Sequence, residues 1–116
     1  MNPDSQISVP PSFVELFRLP GRQRLSEPLA QIAARHEFCE DLAQMLVDRA
    51  GAKRFELGIT EDDVLLRMHA GLRVEGAPVS PAEAWWVTQR LAELLGWPAP
   101  PLPDATAPLN RPAPGG

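Results

Sequence analysis

Proline decides how much of this chain can fold. Half of its 14 prolines fall from Pro98 onward, in a tail otherwise rich in Ala and Gly, and Pro3, Pro10 and Pro11 punctuate the start. Proline fixes φ, lacks an N–H and biases the residue before it toward extended backbone. Such stretches bury too little apolar surface to offset the entropy of ordering them. The expected organisation is a disordered N-terminal arm over 1–12, a helical domain over 13–97 and a disordered Pro-rich tail over 98–116. A domain of roughly 80 to 90 residues hides only about 60 to 65% of the surface its unfolded chain exposes, so burial against a partner would add to a thin stability margin.

Within 13–97 the local signals are helical. Ser26 as cap, Glu27 at the positive dipole end, Pro28 in the first turn and Gly51 as a left-handed stop predict a first helix from Ser26 to Ala50. At about 100° per residue, Leu29, Ile32, Ala33, Cys39, Leu42, Ala43, Leu46 and Ala50 gather on one side and Glu37, Glu40, Asp41, Gln44 and Asp48 opposite. Thr60 with Asp63, and Ile59 with Val64, have the spacing of a capping box and a hydrophobic staple, which predicts a second helix running to Ala70 and stopped by Gly71. Ser80, Pro81 and Glu83 start a third helix, and Gly96-Trp97-Pro98 stops it. Between helices, Arg54 to Leu57 and Leu72 to Glu75 have room for a minimal two-strand ribbon. Phe13, Leu16 and Phe17 fit either a helical turn or a strand, docked on the body in both cases. The fold class is mainly α, a compact bundle of three principal helices with a packed N-terminal segment.

A formal charge of -4 and a pI near 5.1 argue against nucleic acid, whose phosphates need a surplus of Lys and Arg on one face. Cys39 is the single cysteine, so no internal disulfide forms and a reducing compartment fits. No apolar run approaches the roughly 18 residues of a membrane span, and a cytoplasmic location without membrane contact is expected.

The runs Ser12-Phe13-Val14-Glu15-Leu16-Phe17, Phe38-Cys39-Glu40-Asp41-Leu42-Ala43-Gln44-Met45-Leu46, Leu57-Gly58-Ile59-Thr60-Glu61-Asp62-Asp63-Val64-Leu65 and Ser80-Pro81-Ala82-Glu83-Ala84-Trp85-Trp86-Val87, continuing to Gly96-Trp97, resemble a group of small uncharacterised proteobacterial proteins. These often carry the label "ATPase with chaperone activity", which implies a nucleotide-using or chaperone-like role. The motifs shared are capping and core patterns. A P-loop needs Gly-x-x-x-x-Gly-Lys to cradle phosphates, and Lys53, the only lysine, follows Gly51 without the second Gly. ATP hydrolysis is therefore not expected, nor a cofactor of any kind.

His36 and Cys39 stand one helical turn apart and His69 lies on the next helix, but a structural zinc site wants four ligands at recognisable spacing, so no metal is expected. No Ser lies in a Gly-x-Ser-x-Gly elbow. Arg35 falls on the apolar side of the first helix, either with its stem packed and its head paired to an acid or as an interface ion pair. Trp85 and Trp86 point about 100° apart. With Val87, Leu91, Leu94 and Leu95 defining the buried side, Trp85 flanks the core and Trp86 groups with Gln89, Arg90 and Glu93 on the far side. An outward Trp is the residue most enriched at binding hot spots, which makes Trp86, Arg90, Glu93, Trp85 and Arg35 the candidate partner contacts. The expected function is a noncatalytic protein–protein interaction module, a small adaptor, regulatory subunit or chaperone-like partner that binds another protein or a second copy of itself. The alternative is an enzyme or nucleotide-binding protein with an unrecognised site.

Overall fold

The last helix forms where its capping residues place it. In α4, Pro81–Leu95, the Ser80 hydroxyl accepts from the Glu83 amide at 3.1 Å while the Glu83 carboxylate accepts from the Ser80 amide at 2.9 Å, closing the capping box. At its other end Gly96 takes φ 73°, with Gly96 N–H donating to Glu93 and Trp97 N–H to Ala92, the two bonds of a Schellman stop. The structure, a computed structural model, describes residues 9–100. Of the arm and tail expected over 1–12 and 98–116, residues 1–8 and 101–116 lie outside the described residues. Pro11–Val14, at the arm's edge, is a short helix, α1, continued by a 3-10 turn over Glu15–Phe17.

The two middle helices correct the expected stops. α2 spans Leu29–Leu57, running through Gly51 and ending at Gly58, which takes φ 63° and donates to the Arg54 carbonyl. An interior Gly costs a helix about 1 kcal/mol relative to Ala. That cost is met by packing, since Ala50 beside it is fully buried. Pro28, not Ser26, stands before the first turn, and the Ser26 amide donates instead to the Phe17 carbonyl. At 1.5 Å per residue α2 is about 43 Å long. α3, Glu61–Leu72, likewise runs through Gly71 to a cap at Arg73, with Thr60 Oγ1 accepting from the Asp63 amide at 3.1 Å. Arg54 to Leu57 is the last turn of α2, so the ribbon expected there does not form. The one antiparallel bridge among the described residues joins Arg18 to Leu25.

The three long helices and the α1 segment bury two adjoining clusters. Phe13, Ile32, Cys39, Ala43, Ala84, Trp86 and Val87 fill one, and Ala50, Val64, Leu65, Met68, Leu91 and Ala92 fill the other. Early α2 meets early α4 and late α2 meets late α4. These two helices therefore run in the same direction, with α3 returning between them. Leu29, expected on the buried side, is 51% exposed, while Ile32 nearly one turn further on is fully buried.

α2 and α4 are held by an apolar seam with an ion pair at each edge. Arg35 grips Glu83 through Nε and Nη2, both at 2.8 Å, and Arg90 grips Glu40 through Nε at 2.8 Å and Nη2 at 3.0 Å. By helical angle, Arg35 and Glu40 flank opposite sides of the buried line Ile32, Cys39, Ala43. Glu40, expected on the solvated acidic face, is thus turned toward α4. Burial and the nearby Glu83 charge push the Cys39 thiol up to about 12, against the opposing pull of Arg35. It is an inert filler, since the thiolate is the reactive form.

Candidate functional site

Sequence reasoning grouped Trp86, Arg90 and Glu93 on one outward face, and the structure brings them together in a groove. About 700 Å³ in volume, it runs between α2 and α4 under the N-terminal segment, lined by Pro10, Ser12, His36, Glu40, Trp85, Trp86, Gln89, Arg90 and Glu93. The contents differ from the expectation in one decisive respect. Trp86 is buried, 5% exposed. Its indole N–H donates to Ser12 Oγ at 3.0 Å, and its ring meets those of Phe13 and His36 edge-on, with centroids 5.0 and 5.4 Å away. The reason is tertiary: α1 folds over the side of α4 that faces away from α3. An outward-facing Trp86 is therefore corrected to a core residue whose polar edge is satisfied.

The charged candidates are engaged inside the chain as well. Arg35, besides gripping Glu83, donates to the Pro78 carbonyl at 3.0 Å and stands over the Phe38 ring at 4.8 Å. The pairing with an acid is thus the one that forms. Arg90 holds Glu40 and also Glu93, at 2.9 Å. The hydrogen bonds from Arg90 hold the Glu40 carboxyl well below the usual carboxylate range, with Gln44 adding to the effect. Trp85 is half-buried against the first cluster. Glu93 keeps most of its side chain in solvent, 70% exposed.

This arrangement limits the groove's chemistry. Arg90 is matched by two carboxylates, so it presents no surplus charge to a phosphate. Ser12, His36 and Glu40 share the wall, a set that would interest a hydrolase. Yet Ser12 Oγ accepts from Trp86, both Glu40 oxygens accept from Arg90, and Gln44 adds a third bond. Among the described residues no hydrogen bond joins His36 to Ser12 or Glu40. Nor do His36, Cys39 and His69 meet. His36 lies against Phe13 and Trp86, and His69 is buried in α3, where desolvation and the Arg73 charge lower its pKa. Among the described residues no group of three or more His, Cys, Asp or Glu side chains is placed to hold a metal.

The exposed apolar residues lie elsewhere. Phe55 is 89% exposed, Met45 69%, Leu57 51% and Phe38 40%, all on α2, and Leu66 on α3 and Val74 just after it are exposed as well. Sequence reasoning passed over them because Phe38 and Met45 sit among the acids of the polar side. A signal was present: Phe38, Met45 and Ala52 recur at intervals of seven on the side opposite the core. No helix among the described residues is long and apolar enough to cross a membrane. Compared with known proteins, the chain matches no family model, no curated protein and no solved structure.

Proposed function

We propose that this chain is a noncatalytic protein–protein interaction module, a small adaptor, regulatory subunit or chaperone-like partner, whose contact surface is the outer side of α2. One observation carries the reading: α2 is apolar on two sides. Ile32, Cys39, Ala43 and Ala50 are buried in the core, while Met45 and Phe38 are exposed on the opposite side; Phe55, about 15 Å beyond Met45 and about 80° round the helix, is exposed near the C-terminal end. A surface helix that needs one packing partner carries one apolar stripe. A second stripe rimmed by charge marks a surface that another protein covers. The inward engagement of Trp86, Arg35 and Arg90 supports the same reading, since it withdraws them as contacts, and of the seven exposed large apolar side chains among the described residues five are on α2. A buried, unreactive Cys39 suits a reducing cytoplasm.

Affinity capture of the tagged full-length chain from its own cells, beside Met45→Glu, tests this. Surface substitutions usually change stability by less than about 0.5 kcal/mol, so Met45→Glu should unfold like the parent yet lose the stoichiometric partner. Equal recovery of the same partner by both proteins would rule out the outer side of α2 as the contact surface.

A further inference from the structure

We infer that the surface on α2 also receives a second copy of this chain, with the two α2 helices side by side and parallel; this rests on the interaction-module reading above. Phe38, Met45 and Ala52 recur every seven residues, which keeps them on one side of α2 over about 21 Å in a stripe one residue wide, with Asp41 and Asp48 between them. Its two edges carry opposite charge. By helical angle Glu37, Asp41 and Asp48 lie along one edge and Arg49 and Lys53 along the other. None of these five has an ion-pair partner among the described residues, as is also true of Arg22, Arg24, Arg67 and Arg73.

The segregation of charge selects the direction of pairing. Two helices related by a two-fold axis parallel to themselves set unlike edges against each other, acid on base. Asp48 of one copy then lies within about 1.5 Å, along the axis, of Arg49 of the second copy, and the contact occurs twice. Helices related by a perpendicular two-fold set like edges together. About a centre at Met45, Asp41 would meet Asp48 of the second copy, again twice, and juxtaposed like charges are unfavourable. Parallel pairing also stacks each stripe residue on its own copy, Met45 on Met45 and Ala52 on Ala52. α3 and α4 pack on the other side of α2, through Ile32, Cys39, Ala43 and Ala50. A stripe this narrow belongs at the weak end of specific interfaces.

Two measurements on the full chain test the inference. Ala52→Cys places a thiol on the stripe, and the native Cys39 is buried and does not compete. Under a mild oxidant it should form a disulfide-linked dimer at least about tenfold faster than Asp62→Cys, an exposed control on α3, because pairing raises the effective thiol concentration. In an antiparallel pair centred on Met45 the two thiols would be roughly 21 Å apart, beyond disulfide reach. In sedimentation equilibrium up to roughly 1 mM, the scale of weak complexes, the parent should self-associate. Asp48→Arg should weaken it, and adding Arg49→Asp should restore it. Cross-linking no faster than the control, a parent that stays monomeric throughout, or tighter association by Asp48→Arg would each overturn the parallel pair. A monomeric parent whose captured partner is still lost on Met45→Glu overturns self-pairing alone and leaves the interaction-module reading standing.

Discussion

Trp86→Ala is expected to destabilise the fold by about 3 to 5 kcal/mol, the range for truncating a buried Trp. The substitution empties the junction between α1, α2 and α4, where the indole touches Phe13 and His36. It also leaves Ser12 Oγ without its donor. For a domain of this size each kcal/mol shifts Tm by roughly 4 to 8 °C, so a loss of at least roughly 12 °C should appear in a thermal melt followed by circular dichroism. Trp86→Phe, which keeps a ring but not the N–H, should fall between the two. A Trp86→Ala protein that melts with the parent would mean that α1 is not packed on α4.

The second large effect is expected at Glu83, which is 5% exposed and does three things at once. Its Oε1 accepts from the Ser80 amide to close the capping box, Oε2 accepts from Arg35 Nε, and Oε1 accepts as well from Arg35 Nη2. Breaking a buried ion pair by removing one partner costs about 3 to 5 kcal/mol, and a cap about 1 kcal/mol. The Arg35 side chain is 37% exposed, so solvent screens part of the pair's contribution. We therefore expect Glu83→Ala to cost about 2 to 4 kcal/mol, measured by urea unfolding. The pH dependence has a definite sign. Burial is the strongest single influence and pushes the Glu83 carboxyl up, but Arg35 and Ser80 together outweigh it and hold the group below the usual range. The unfolded chain takes up this proton near pH 4.3. The contribution is full above that value and is lost as pH falls through the folded value. Stability of the parent should drop more steeply below about pH 4.3 than that of Glu83→Gln; parallel curves would show that Glu83 is not the ionised partner of Arg35.

The parts of this molecule that were legible in its sequence are those decided locally. Every contact that starts and stops α4 lies within six residues of its ends, so Ser80, Pro81, Glu83 and Gly96 could be read directly. Gly51 and Gly71 misled for the converse reason. Whether a glycine ends a helix depends on what the next turn can pack against, and Leu72, on the turn that Gly71 would have ended, packs on the first cluster. The facing of Trp86 was decided by Ser12 and Phe13, more than seventy residues away. A helical wheel sees two sides, core and solvent; α4 has a third, covered by α1. The same limit applied to Glu40 and Arg90, each of which looks solvated on its own helix and is paired only when the helices meet. It worked in reverse on α2, where Phe38 and Met45 were masked by acidic neighbours.

Hydroxyl-radical footprinting reads directly whether the outer side of α2 is a contact surface. Methionine side chains oxidise in proportion to their exposure, and the chain carries its own reference, since Met45 is 69% exposed and Met68 8%. The full-length chain should be labelled both free, at a concentration too low for self-association, and in the complex captured from its cells. Met45 should oxidise quickly in the free chain and become protected in the complex, while Met68 stays slow in both. Met45 oxidising equally fast, free and bound, with Met68 unchanged, would mean that the complex leaves the outer side of α2 uncovered.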